Sequence, residues 1–228
     1  MDDTKYAFRL EADEDGRVYA IRYRYCTVPR TVQLLGRNLA DIMVGDSECH
    51  IESIGICRCI RSRESGSDHL HVITEHTDES SPLKQGAVVA ADRLDRFHFA
   101  TSVSSFTYLS AYPKGLADRA TLDGKAYEFW ETLLEVSAEV FSSPESVLVP
   151  LDLSAVAILP DWTDRLVTAA IDAFETRMRL LTSRDLGFSF GIMAAASDLP
   201  IATGIELAKQ QLNMAVESGA RILSSTAA

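Results

Sequence analysis

No apolar run in the sequence approaches the roughly 20 residues of a membrane span, and the acidic opening MDDTKYAFRLEADEDG is not a signal peptide. These absences predict a cytoplasmic protein with no membrane partner. Basic residues are few and scattered: 22 Lys and Arg stand against 33 Asp and Glu, a formal charge of −11. Binding of free nucleic acid needs clustered cations to neutralise phosphates, so that class of partner is not expected. Cysteine is sparse as well. The four present, Cys26, Cys49, Cys57 and Cys59, all precede residue 60, and a chain that can bury a large core needs no disulfide framework; free thiols are expected. Several catalytic signatures are missing. No G-x-S-x-G elbow exists that would assemble Ser189 with His98 and Asp185. The stretch GRNLADIMVGD lacks the glycine spacing and lysine-serine pair of a phosphate loop. Cys49 and His50 are neighbours on a strand and point to opposite faces.

What is present is ample apolar material, 46% of 228 residues, in patterns that separate strands from helices. KYAFRL and RVYAIRYRY flank a DG-containing turn, and Tyr19, Ile21, Tyr23 and Tyr25 alternate with Ala20, Arg22 and Arg24, which predicts a β-hairpin. Val32, Leu35, Leu39 and Ile42 follow helical spacing over 31–44, with Gly45 placed to end the run. HIESIGICRCI reads as a strand, SRESGSD as a turn and HLHVITEH as the return strand; Pro82 opens a helix through LKQGAVVAADRLDR, and FHFATSVSSFTYLSAY is β-prone.

The second half is the more regular. A helix over about 127–141 carries Trp130, Leu133, Leu134 and Phe141 along one side, and VLVPLDLSAVAILP reads as two strands around a turn. Asp161 or Thr163 can cap a helix with the stripe Leu166, Val167, Ala170, Ile171, Phe174, Met178 and Leu181. GFSFGIMAAAS is a central strand. After Asp198 as N-cap, Ile201, Ile205, Ala208, Leu212 and Val216 recur at spacings of three and four until Gly219. The sequence thus predicts an α+β chain: residues 1–112 in the order ββαββαβ, residues 124–228 in the order αββαβα, and a connection at 113–123. The order of elements also reads as an internal repeat of two units, for which chance likeness between α/β units is the alternative.

Strand, turn, strand, helix, strand, helix over 147–219 resembles the palm superfamily that includes GGDEF diguanylate cyclases, the polymerase subunit of type III CRISPR complexes and GTP cyclohydrolase III. The resemblance covers residues 95–220 and rests on LVPLDLSAVAILP, FSFGIMAAA and LPIATGIELAKQQLNMAVESG. It implies a ferredoxin-like palm, an antiparallel sheet with helices on one face, in one unit or two in tandem. In active members a Gly-Gly-Asp-Asp/Glu hairpin and an acid from the first strand hold metal ions for triphosphate chemistry. Here the corresponding hairpin offers Leu151, Asp152, Leu153 and Ser154, and FHFATSVSSF supplies no acid. A second turn, ESGSDHLHVI, places Gly66, Ser67, Asp68 and His69 where such a motif would lie, with Asp13, Glu14 and Asp15 in the preceding turn.

Asp68 and Asp152 are therefore the candidate catalytic acids; Gly66, Ser67, Asp68, His69 and Ser154 the candidate nucleotide contacts; and Asp68, His69 and His71 the candidate metal ligands, with Mg²⁺ as the cofactor if the site is active. Cys57, Cys59, His69 and His71 form a zinc set only if Cys59 lies opposite His71, and even then residues i and i+2 stand about 6–7 Å apart on a strand. The reading that follows is a degenerate palm-like domain that binds a nucleotide or a protein partner in a signalling or defence system. A metal-dependent cyclase or polymerase using purine triphosphates is the first alternative, and a structural subunit of a homodimer or larger complex is the second.

Overall fold

The computed structural model describes residues 7–23, 31–52, 54–64, 67–73, 86–97, 99, 103–114, 126–141, 143, 145–151, 154–182 and 187–227. The chain divides into two compact units, Met1–Phe97 and His98–Ala228. The strand at 105–113 thus belongs to the second unit, whereas the sequence reading places it in the first.

The first unit is mostly β. Its elements are β1 (Phe8–Ala12), β2 (Val18–Tyr23), a 3-10 segment (Thr31–Leu34), the single-turn helix α1 (Leu39–Ile42), β3 (Glu48–Ile51), β4 (Gly55–Glu64), β5 (Ser67–Ile73), β6 (Gly86–Val89) and a second 3-10 segment (Ala91–Arg96). The strands lie in the order β6-β2-β1-β5-β4-β3, each antiparallel to its neighbours. The β1–β2 hairpin is as predicted, and Asp13 Oδ1 closes its turn by accepting from the backbone N–H of Asp15 and Arg17.

Other expectations for this unit are corrected. The helix over 31–44 is split, because Gly36 turns the chain with φ at +79° and residues 36–38 pair with the start of β2 instead. Gly36 N–H donates to Val18 O, Val18 N–H to Arg37 O, and Arg17 bridges Asn38. HIESIGICRCI is two strands rather than one, and SRESGSD is largely strand, since β4 runs to Glu64 and β5 starts at Ser67; Gly66 lies outside the described residues. GAVV is β6 and not helix. Three of its residues, Ala87, Val88 and Val89, are buried in the ladder with β2, so sheet pairing overrides the helical spacing. Without that helix the order ββαββαβ and the internal repeat are not reproduced among the described residues.

Register gives this sheet an apolar and a polar face. Phe8, Leu10, Ile21, Leu70 and Val72 share one face, and all are fully buried. Cys59 lies on the same side, with its Sγ 3.7 Å from Met43 Sδ, so the α1 segment covers it. Arg9, Glu11, Arg22, His69 and His71 share the other face. A bulge between Glu11 and Ala12 leaves Tyr19 as the extra residue of β2. Its hydroxyl therefore reaches Glu11 Oε2 at 3.3 Å, on the face opposite Ile21 rather than with it as the alternation predicts.

The second unit comprises β7 (Ser105–Pro113), α2 (Ala126–Val140), β8 (Val147–Leu151), β9 (Ser154–Pro160), α3 (Asp164–Thr182), β10 (Phe188–Ala196), α4 (Ile201–Ser218) and β11 (Ile222–Thr226). Its sheet order is β11-β10-β7-β9-β8. The run β7-α2-β8-β9-α3-β10 with strands ordered β10-β7-β9-β8, all antiparallel, is the ferredoxin-like arrangement. β11 extends it as a parallel neighbour of β10 and has no counterpart in the sequence reading.

The helices follow from their stripes, with small shifts. On α3 Val167, Ala170, Ile171, Phe174 and Met178 are buried, while Leu166 and Leu181 are exposed at the stripe's edges. Thr163 Oγ1 accepts from Leu166 N–H as the cap. On α4 the buried line is Gly204, Ile205, Ala208, Leu212 and Ala215, and Val216 is exposed. The N-cap of α4 is Pro200 rather than Asp198, and Gly219 closes the helix in the left-handed region at φ 72°.

Packing places α3 and α4 on opposite sides. Phe174 meets the rings of Phe188 and Phe190 at 5.1 and 5.9 Å and stacks on Phe141, which follows α2. A Cβ at Gly191, whose neighbours on β10 face the other way, would stand 2.2 Å from Leu212 N in α4. Gly204 of α4 touches the ring of Tyr108, which pairs with Met193 on Gly191's side. So α2 and α3 share one face as expected for the ferredoxin-like core, and α4 takes the other. This is why β7 and β9 are buried residue after residue. Among the described residues no helix is long and apolar enough to cross a membrane.

Candidate ligand-binding cleft

The β1–β2 turn, the α1 segment and the β4–β5 hairpin enclose a cleft of about 660 Å³ in the first unit. Asn38 builds its inner edge. Its Oδ1 caps α1 by accepting from Ala40 N–H at 2.9 Å, while its Nδ2 donates to Asp15 O at 2.9 Å, so one side chain joins the turn to the helix. Leu39, Met43 and Val44 give the cleft an apolar side; Glu14, Asp15 and Asp46 bring carboxylates; and Asp68 and Arg61 come from the hairpin.

Pairing explains the convergence. Ala12 of β1 lies opposite Asp68 of β5, so the residues just beyond Ala12 and the start of β5 meet at one end of the sheet. Arg61 and Arg63 stand on the same face as Asp68, because Arg63 is its register partner. Arg61 Nη2 donates to Asp68 Oδ2 at 2.6 Å, and Arg63 Nε stands 3.9 Å from Oδ1. With Glu14, Asp15, Asp46 and Asp68 against Arg61, the lining carries a formal charge of −3. Such a cleft favours ligands that donate hydrogen bonds, and it opposes an unaccompanied triphosphate.

Strand alternation separates the other predicted residues. Asp68 faces the cleft side, whereas His69 and His71 lie on the opposite face, their rings 6.5 Å apart. His71 Nε2 is 3.1 Å from Ser62 Oγ, and Ser67 belongs to the His69 face. Asp68, His69 and His71 are therefore not a ligand set, and the described residues contain no group of three or more His, Cys, Asp or Glu able to hold a metal ion. Among the described residues, the set Asp68, His69 and His71 therefore does not fit Mg²⁺. The zinc set fails by the same logic, since Cys59 pairs with Val72 and His71 with Ile60: the thiols share one face and the imidazoles the other. Cys49, Cys57 and Cys59 are free and buried, and burial pushes all three thiols up.

In the second unit Ser154 starts β9 opposite Leu151, and Asp152 lies outside the described residues. Trp130 Nε1 holds this hairpin to α2 by donating to Leu151 O at 3.1 Å. The described part of β7 carries no carboxylate, in agreement with the sequence.

Sequence reasoning missed Asn38, Arg61 and Asp46. The cap spacing of Asn38 ahead of LADI is visible in the sequence, but treating 31–44 as one helix hid it. Reading 61–68 as a turn hid the fact that Arg61 is a strand residue on Asp68's face.

No protein-family model matches the chain, and no curated protein matches it. Among solved structures it is similar to the coiled coil and GGDEF domain of DgcB from Caulobacter crescentus in complex with c-di-GMP, with 11% identity, 54% of this chain and 70% of that chain covered, and a TM-score of 0.41. The GGDEF domain of the same protein in complex with c-di-GMP gives 11% identity, 53% and 78% coverage and a TM-score of 0.42. The S helix-GGDEF-EAL portion of Vibrio cholerae LapD bound to c-di-GMP gives 11%, 54% and 31%, and 0.39. These likenesses are weak, and the ferredoxin-like assignment rests on strand order alone.

Proposed function

We propose that the chain is a nucleotide-binding module in which a purine nucleotide of low charge occupies the Asp68–Arg61 cleft, with no metal-dependent nucleotidyl transfer. The observation that carries this reading is the cleft's mixed lining. Leu39, Met43 and Val44 offer apolar surface to a base, the carboxylates of Glu14, Asp15, Asp46 and Asp68 can accept from ring and exocyclic N–H groups, and Arg61 is the cation among the described lining residues for a phosphate. The alternative of a working cyclase or polymerase needs at least two carboxylates on one metal; the described part of β7 carries none, and among the described residues no group of three or more His, Cys, Asp or Glu is placed to hold an ion.

A thermal-shift panel of purine nucleoside monophosphates, triphosphates and cyclic dinucleotides, with and without Mg²⁺, tests it. Monophosphates or cyclic forms are expected to raise the melting temperature of the full chain by mass action, and Asp68→Ala to remove the part of that rise that inorganic phosphate alone does not give. Metal-dependent product formation from ATP or GTP that disappears in Asp68→Ala would overturn the reading. So would the absence of any shift across the panel at millimolar concentration.

A further inference from the structure

The polar face of the first sheet, on the opposite side from the cleft, has an imbalance of charge that the fold itself does not explain. Arg9 and Arg22 are register partners on β1 and β2, and like charges directly opposite in a sheet repel. Among the described residues one carboxylate answers both. Glu11, with a side chain only 5% exposed, accepts Arg9 Nη2 at 2.6 Å and Arg22 Nε at 2.5 Å on the same oxygen, Oε1. Its second oxygen accepts the Tyr19 hydroxyl. Two guanidiniums against one carboxylate leave a surplus positive charge in a partly desolvated place, with the arginine side chains 20% and 29% exposed. In a chain with a formal charge of −11, a second acid at this point would be the ordinary way to complete the network.

The geometry also leaves donors over. Arg22 spends its Nε on Glu11, and its guanidinium lies 4.3 Å from the centre of the Phe97 ring. That contact fixes the plane of the fork and leaves the terminal nitrogens to bond elsewhere. Arg9 spends Nη2, and its buried Nε has no hydrogen-bond partner. The neighbours of Arg22 on this face are Ala20 on β2 and Ala87 on β6, which add no bulk above the guanidinium. His71 is the cross-strand partner of Arg9, so an imidazole and the Ser62 hydroxyl bonded to it continue the row of polar groups.

We propose that Arg9 and Arg22 form a binding site for the phosphate group of a small molecule, separate from the cleft at Asp68. The phosphate takes the place of the missing second acid. It receives the free edge of the Arg22 fork and shares Arg9 with Glu11, since charge-assisted bonds from a planar guanidinium to a tetrahedral oxyanion are among the strongest available at a partly exposed site.

Titration of the full chain with inorganic phosphate, against sodium chloride at equal ionic strength, tests this directly. Phosphate is expected to raise the melting temperature and to give a saturable heat where chloride does neither. Arg22→Gln is expected to weaken phosphate binding by about tenfold or more, and Arg22→Lys by less, because it keeps the charge but loses the fork. Glu11→Gln removes the competing carboxylate and is expected to tighten phosphate binding, a sign that a merely structural network would not produce. Asp68→Ala is expected to leave the phosphate affinity within about twofold. Identical responses to phosphate and chloride would overturn the proposal, as would an Arg22→Gln protein that binds phosphate like the parent. If Glu11→Gln does not fold, the Arg22→Gln and Arg22→Lys pair decides.

Discussion

The two units of this chain spend their polar residues differently. In the second, β7 and β9 are buried from Phe106 to Ala111 and from Ala155 to Leu159, because α2 and α3 cover one face of the sheet and α4 the other. A side chain on these strands meets a helix whichever way it points. Tyr108 and Ser110 are fully buried, with hydroxyls that have no hydrogen-bond partner, and burial alone pushes the Tyr108 phenol up to about 12. In the first unit one face is apolar and the other carries Arg9, Glu11, Arg22, His69 and His71. The difference teaches where chemistry can sit: the second unit uses both faces for its core, and the first leaves one face and one sheet end polar.

The largest effect that would sharpen this contrast is steric. A Cβ at Gly191 would lie 2.2 Å from Leu212 N and 2.4 Å from Ala208 O, both backbone atoms of α4. Neither can step aside without moving the helix. Gly191→Val is expected to cost the full chain about 4 kcal/mol or more, beyond ordinary overpacking, read by calorimetry or denaturant titration. A loss under about 1 kcal/mol would mean that α4 does not seal this face.

Second in size is Glu11→Gln, which leaves two guanidiniums facing each other with no countercharge and should cost about 3 kcal/mol. Burial opposes ionisation of Glu11, but Arg22 and Arg9 outweigh it, so its carboxyl is held below the ordinary range. A lowered carboxylate contributes stability above the ordinary glutamate range, and that stability is lost as pH falls through the lowered value. The stability gap between parent and Glu11→Gln should therefore be full at neutral pH and close in the acid range. A gap independent of pH would show that Glu11 matters by shape alone.

How much of this was legible in the sequence differs between the units for the same physical reason. Helices α3 and α4 are read to within about two residues, because a stripe such as Val167, Ile171, Phe174 and Met178 fits only one period. The strands around them carry unbroken apolar runs that match burial on two faces. In the first unit the spacing of Val32, Leu35, Leu39 and Ile42 is equally helical, yet pairing of residues 36–38 with β2 breaks it. GAVVA is compatible with either state, and only its ladder with β2 decides. The site suffered most. Whether Asp68, His69 and His71 face one another depends on alternation and register, and a one-residue slip reverses the answer; the sequence leaves that register open.

A smaller effect is expected at the β9–α3 corner of the second unit. Asp161 has φ at 54°, a backbone region that few residues other than glycine, asparagine and aspartate tolerate. Its Oδ1 accepts from the backbone and hydroxyl of both Ser104 and Ser105. Those bonds, led by the Ser104 hydroxyl, hold its carboxyl below the usual range. Asp161→Asn keeps the backbone preference and part of the bonding, while Asp161→Ala loses both. The melting temperature should therefore fall further for Ala than for Asn. Equal values would show that the clamp between β7 and β9 adds nothing to a sheet already buried on both sides.

The smallest stability effect belongs to the residue given the largest functional weight. The Arg61–Asp68 pair has side chains 57% and 20% exposed, and exposed ion pairs contribute about 0–1 kcal/mol. Asp68→Ala should leave the unfolding midpoint nearly unchanged, in contrast with Gly191→Val and Glu11→Gln, while removing the part of the nucleotide-induced shift that inorganic phosphate alone does not give. Arg61→Ala should act in the same direction on ligand and leave Asp68, among Glu14, Asp15 and Asp46, with only the 3.9 Å approach of Arg63 Nε, so its loss of affinity for a phosphate-bearing ligand should exceed its loss for the corresponding nucleoside. If both variants destabilise the chain by several kcal/mol and bind nucleotides as the parent does, the cleft is a structural seam of the first unit, and the contrast between a packing unit and a ligand-binding unit fails where it is most exposed to test.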